Sequence, residues 1–195
     1  MTSEQLKQAA IRLFADHGYE GTSLADIAAE VGIKKQSIYT HFKNKDELFL
    51  KAMADVLEKE IEYAKASFSS SEQPHLKEIL FSYLTDYVHR FEVEAETKFM
   101  LRISFLPPSH LYREVMEKVY VYLDTFEELL ISVFENQPAL AVKPSEAATA
   151  YMGVADAVFA EMLYGGPSRV QKRLDSCFCV YWNGIKRKAE PTVYP

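Results

Sequence analysis

From residue 115 to residue 133 the side chains of Val115, Val119, Tyr122, Phe126, Leu129 and Val133 fall alternately four and three apart. That spacing puts them on one stripe of a long helix and predicts a heptad seam. Similar stripes recur along the chain. Leu6, Ala10, Leu13 and Phe14 form one, and Leu24, Ile27, Ala28 and Val31 form another. With only 8 prolines and 7 glycines in 195 residues there are too few turn formers for an all-β fold. Hydrophobic residues make up 48%, enough for a full core, so disorder is not expected. The expected fold is all-α with roughly nine helices.

Start and stop signals divide the helices. Ser3 is placed to cap the first, and Gly18 to end it in the left-handed conformation. Ser23 with Asp26 makes a capping-box pattern for the second, which Gly32 stops. In "KQSIYTHF", Ile38 and Phe42 share one side at i, i+4, and Asn44 with Glu47 opens a fourth helix. Residues 69–74 read as a linker, polar and closed by Pro74. Two helices follow, parted by the acidic "EVEAE", whose Glu92, Glu94 and Glu96 are expected to be solvated; Pro107 and Pro108 then break the chain. Pro144 is placed to open a helix that is apolar on nearly every face, and Gly165, Gly166 and Pro167 end it. A last helix is expected to reach about residue 188. Three short helices ahead of longer ones imply a small head, residues 1–47, on a larger helical body, residues 48–195.

The formal net charge is −6, so the whole chain does not advertise a nucleic-acid partner. Residues 1–50 carry six Lys/Arg against seven Asp/Glu, yet no acid stands between Glu30 and Asp46, where Lys34, Lys35, Lys43 and Lys45 gather. Two short helices joined across Gly32 make a helix-turn-helix pattern, in which the second helix enters the major groove of double-stranded DNA. With Ile38 and Phe42 turned inward, Lys35, Gln36, Ser37, Tyr39, Thr40 and His41 face out. Lysine donates to guanine, glutamine pairs with adenine, and threonine offers a methyl or hydroxyl to thymine. Tyr39 and His41 suit phosphate, as does Lys45 at a helix start, with Thr22 and Ser23 flanking on the other side.

At these residues the chain resembles a known family. The stretch "GTSLADIAAEVGIKKQSIYTHFKNKDELF" is similar to the DNA-binding head of TetR/AcrR transcriptional regulators, over residues 3 to about 52. The resemblance implies base reading by Lys35, Gln36 and Thr40, backbone gripping by Tyr39, His41 and Lys45, and a further phosphate contact near Ser23. Lys34 departs from the Ser or Thr common in the family before the recognition helix; it removes a side-chain cap and adds a charge within reach of phosphate.

The last two helices hold more apolar surface than one body is expected to cover, so Tyr151, Val154, Ala155, Val158, Met162, Val170, Leu174, Cys177, Phe178, Tyr181 and Ile185 are candidates for a homodimer interface. Two recognition helices about 34–36 Å apart would match a palindromic operator. By resemblance, a four-helix interface of this kind is also how the family dimerises. Aromatic residues crowd the body, and bundles house ligands between helices. Candidate lining residues for a small-molecule effector are Tyr83, Tyr87, Phe91, Phe99, Met100, Ile103, Tyr120, Tyr122, Tyr151 and Phe159, with Asp156 the odd carboxylate that could meet a cation or pair across the interface.

No nucleophile motif, glycine-rich phosphate loop or His/Cys metal spacing occurs, so neither an enzyme, a metal nor a cofactor is expected. Cys177 and Cys179 lie two apart on a helix, point to different faces and are expected to be buried thiols. No apolar run reaches the ~20 residues of a membrane span, and a cytoplasmic protein is expected. The function these features point to is a ligand-responsive homodimeric repressor, released from its operator by a small hydrophobic or amphipathic effector. The alternative is a helical protein-interaction module that has lost DNA binding.

Overall fold

A computed structural model describes residues 2–69, 75–137 and 140–186. Among the described residues are nine α-helices and one 3-10 turn, with a single antiparallel bridge between Leu140 and Lys186 in place of any strand. The helices are α1 (Ser3–His17), α2 (Leu24–Glu30), α3 (Lys35–Ile38), α4 (Lys45–Ser69), α5 (Leu76–Val93), α6 (Ala95–Phe105), α7 (Tyr112–Glu135), α8 (Pro144–Tyr164) and α9 (Pro167–Ile185), with the 3-10 turn at Ser109–Leu111. The chain is all-α as expected. Most of the linker expected at residues 69–74 lies outside the described residues, as does the chain beyond Lys186.

Most helix starts follow the side-chain chemistry. Thr2, not Ser3, caps α1: its hydroxyl accepts from Gln5 N–H while the Gln5 side chain accepts from Thr2 N–H. Ser23 and Asp26 form the expected reciprocal pair at α2. At α4, Asn44 accepts from Glu47 N–H at 2.8 Å, but the Glu47 carboxylate accepts from Lys43 N–H, one residue further back. Pro144 occupies the first turn of α8. In α7 the expected seam holds only at first. Val115, Val119, Tyr122 and Phe126 are buried, after which Leu130 and Phe134 replace Leu129 and Val133. A helix with 3.6 residues per turn drifts off a strict heptad, and without a supercoil the buried stripe moves with it.

Packing divides the chain into two compact units. The first comprises residues 1–64 and 86–123. In it α1 packs on α6, and Leu6, Ala10, Phe14, Ile27, Ile38, Phe42, Phe49, Phe99 and Val115 share one core. Phe14 meets Phe49 edge-on with ring centres 5.1 Å apart and stacks near Phe99 at 5.9 Å. A buried ion pair crosses the same unit. Glu60, 1% exposed, accepts from both Arg90 terminal nitrogens at 2.5 and 3.2 Å, and Glu94 accepts from Arg90 Nε at 2.8 Å. The guanidinium lies 3.9 Å over the Tyr63 ring. Burial works against the Arg90 charge, but the carboxylates of Glu60 and Glu94 outweigh it and raise its pKa.

The second unit comprises residues 65–85 and 124 onward. There α8 packs on α9, Tyr151 donates to Leu80 O at 2.7 Å, and Tyr181 donates to Ala147 O at 2.9 Å. Each phenol thereby buries its ring without stranding its hydroxyl. This division groups residues by packing and differs from the 1–47 and 48–195 partition, which concerns function.

Candidate nucleic-acid interface

The interface is built outward from Gly32. Its φ of +72° carries the chain out of α2 through the left-handed region, where a side chain would be strained. Gly32 N–H donates to Ala29 O and Ile33 N–H to Ala28 O, closing the α2 end. Lys34 is extended (φ −78°, ψ 142°) and supplies no side-chain cap to α3. That fits the loss of a capping hydroxyl at this position. The four residues of α3 continue as turns through His41, with Tyr39, Thr40 and His41 N–H bonding to the carbonyls of Gln36, Ser37 and Ile38. Ile38 and Phe42 are buried in the core.

With those two side chains inward, Lys34, Lys35, Gln36, Ser37, Tyr39, Thr40 and His41 are all exposed, Tyr39 by 52%. They form one continuous polar face, and Lys43 is exposed just beyond it. The Thr40 hydroxyl donates to Ser37 O at 2.7 Å, which leaves its methyl and lone pairs for an outside partner. Ser23 is exposed, and its oxygen accepts from Asp26 N–H in the α2 cap. The bond from Ser23 also holds the Asp26 carboxyl below its usual range.

Two expected phosphate contacts are corrected. Thr22 is 2% exposed, and its hydroxyl donates to Gly18 O at 2.9 Å with Leu13 O also in reach. It ties the α1–α2 turn and does not face solvent. Lys45 turns inward too: its ammonium donates to Tyr19 O and Thr22 O, each at 2.9 Å, and sits 3.8 Å over the Tyr19 ring. Carbonyls left over at the end of α1 and the turn after it attract the charge a phosphate was expected to take. Reading the residues alone missed Tyr19, Asp46 and His110, which meet here. The only signal was an aromatic residue directly after the left-handed Gly18.

The residues expected to line an effector site fall into different settings. Tyr87, Phe99, Met100, Ile103 and Tyr122 are buried in the first unit, Phe99 within the aromatic cluster around Phe14. Phe91 there is half-buried and Tyr120 is 55% exposed. In the second unit Tyr83 is buried and stacks on Phe126 at 5.4 Å, and Tyr151 is fully buried. Phe159 is half-buried, and Asp156 is exposed with its carboxyl raised above the usual range by partial desolvation.

The interface residues expected on the last two helices also require correction. Tyr151, Val154, Ala155, Val158, Val170, Leu174, Phe178, Tyr181 and Ile185 are already buried within one chain. Their stripes cover each other, because α8 and α9 turn their apolar faces together and onto their own unit. Met162 and Cys177 are half-buried, and Cys179 is exposed, so the pair of buried thiols is not found. Outward on these helices stand Tyr164, 67% exposed, and Val180, 74% exposed.

A short helix presenting a basic polar face beyond a glycine turn, backed by a helical body, defines the class of helix-turn-helix proteins. Residues 6–52 match the family described as bacterial regulatory proteins, tetR family. Over these residues the chain carries the DNA-binding head of that family. It is 28% identical over 127 residues to the biofilm operon icaADBC HTH-type negative transcriptional regulator IcaR of Staphylococcus epidermidis, a stretch covering 65% of each chain. It is 32% identical over 108 residues to the HTH-type transcriptional regulator AcrR of Shigella flexneri, covering 53% of this chain and 48% of that one. The matches thus span less than two thirds of either relative's length. The fold is shared with the transcriptional regulator FadR of Bacillus subtilis in complex with stearoyl-CoA, at a TM-score of 0.70 and 18% identity, covering 94% of this chain and 100% of that one. Among the described residues no helix is long and apolar enough to cross a membrane.

Proposed function

We propose that the protein is a DNA-binding transcriptional regulator, acting as a repressor, with the reading role in residues 1–47 and effector binding and pairing in residues 48–195. The observation that carries this reading is the exposed face of Lys34, Lys35, Gln36, Ser37, Tyr39, Thr40 and His41, backed by the buried Ile38 and Phe42. A rigid, basic, hydrogen-bonding strip of that size fits a major groove. Lys35, Gln36 and Thr40 read bases; Lys34, Tyr39, His41 and Ser23 bind phosphates. The name of the Staphylococcus epidermidis relative, a negative regulator, supports repression.

The chain works as a homodimer on a palindromic operator. The exposed Tyr164 and Val180 support pairing, because large apolar side chains left outside favour a second surface. A small hydrophobic or amphipathic effector releases the operator by preferring one conformation of the body. The acyl-CoA bound to the Bacillus subtilis regulator of the same fold supports an effector of that class.

The test is duplex binding by anisotropy across a salt series, using duplexes selected from a randomised pool by the wild-type protein. Log affinity is expected to fall linearly with log salt. Lys34→Ala lowers the slope by about one, whereas Gln36→Ala changes which duplexes are preferred. Failure to select any duplex, or affinity indifferent to salt, overturns the reading.

A further inference from the structure

Three parts of the first unit converge on one carboxylate. Asp46, on the first turn of α4, accepts from the Tyr19 hydroxyl of the α1–α2 turn. The same oxygen, Oδ1, lies 3.3 Å from His110 Nε2, on the 3-10 turn that joins α6 to α7. The Tyr19 and His110 rings are 5.0 Å apart. Tyr19 donates first and His110 second in holding the Asp46 carboxyl below its usual range.

Each of the three is fixed from behind. Tyr19 stacks near Phe14 at 5.9 Å and meets Phe49 edge-on at 5.2 Å, so its ring belongs to the core. Lys45, the neighbour of Asp46, holds the Tyr19 and Thr22 carbonyls. The His110 turn is anchored by Pro108 and Leu111, both buried, while His110 itself remains partly exposed. Lys45 and Asp46 therefore grip the α1–α2 turn with opposite charges, and His110 brings the α6–α7 turn onto the same carboxylate. The recognition segment hangs between the α1–α2 turn and the start of α4, so the angle between these two fixes how its polar face is presented.

We propose that His110 is a positioning residue for sequence-specific DNA binding: by donating to Asp46 it ties the start of α4, and with it the α1–α2 turn, to the α6–α7 turn, in the setting where Lys35, Gln36 and Thr40 reach base edges together. This rests on the DNA-binding reading above. His110 does not touch DNA. Its contribution falls on base readout, which needs several side chains in register, and much less on non-specific attraction, which needs only nearby charge.

The experiment uses the full chain and two probes, a duplex selected from a randomised pool by the wild-type protein and a random-sequence duplex. His110→Ala weakens the selected duplex about tenfold, the effect of one charge-assisted hydrogen bond. It leaves the random duplex within about twofold of wild type. His110→Gln keeps a donor where Nε2 stood and restores most of the affinity. His110 is half exposed at the surface, with a side-chain exposure of 46%, so both variants are expected to fold, and thermal melting verifies it. Equal affinities of His110→Ala and wild type for the selected duplex overturn the proposal. So does equal weakening by Ala and Gln, or equal loss on both probes. If the wild-type protein selects no duplex, the DNA-binding reading fails; if it selects one and His110→Ala binds it unchanged, only the positioning role fails.

Discussion

Removal of the Glu60 carboxylate tests how the first unit is held together. Glu60 is 1% exposed and Arg90 only 14%, so neither charge is hydrated enough to stand alone. Glu60→Ala takes away two of the three carboxylate hydrogen bonds to the guanidinium and leaves Glu94 as its acceptor. Breaking one side of a buried pair costs about 3–5 kcal/mol, because the remaining charge stays desolvated. For a chain of this length each kcal/mol moves the melting midpoint by about 2–4 °C, so a fall of roughly 6–20 °C is expected. The double replacement Glu60→Leu with Arg90→Met removes both charges and keeps apolar volume; it is expected to recover most of that loss. Thermal melting and urea titration of wild type, Glu60→Leu, Arg90→Met and the double make the cycle, with Glu60→Ala measured beside it. A Glu60→Ala loss below about 1 kcal/mol would refute the reasoning, as would a double variant no more stable than the Glu60 single.

Further outcomes follow from other contacts. Lys45→Ala is expected to weaken a selected duplex more than a random one and to lower stability by about 1–3 kcal/mol, since a charged donor leaves two carbonyls; the salt slope stays at the wild-type value, and uniform weakening with a slope lower by about one would make Lys45 a phosphate contact. Glu161 accepts from Arg169 and Arg173, and Arg169 above all holds its carboxyl down to about 2. A depressed carboxyl stabilises the fold above its unfolded value of 4.5 and loses that as pH falls towards 2. Glu161→Gln should therefore flatten this part of the acid limb in pH-dependent melting. Gly21→Ala should destabilise more than Gly32→Ala in urea titration: a Cβ at 21 would lie 2.4 Å from His17 O, whereas one at 32 meets nothing within 4 Å and carries only the left-handed strain of about 1–2 kcal/mol.

How much could be read beforehand depended on how local the physics was. Ser23 with Asp26, Asn44 before Glu47, Pro144 and the two left-handed glycines act within a few residues, and each marks an element where expected. The outward face of residues 35–41 was legible because Ile38 and Phe42 leave only one way round. The inward bonds of Thr22 and Lys45 were not legible because their partners, the carbonyls of Leu13, Gly18, Tyr19 and Thr22, are backbone atoms with no residue signature. The stripes of α8 and α9 were visible, but an apolar stripe does not say whether its cover is a second chain or the neighbouring helix. The Asp46 cluster was invisible because His110 lies 64 residues away from it.

A helix of four residues cannot sustain itself in water; nucleation alone outweighs what so few bonds return. The shape of α3 is therefore borrowed through Ile38 and Phe42 from Phe14, Phe49 and their neighbours. Evolution can retune which bases are read without altering any side chain that touches them, simply by changing the size of a residue in that hidden scaffold. Conversely, swapping the seven outward residues between relatives transfers their specificity only when the scaffold beneath is carried along.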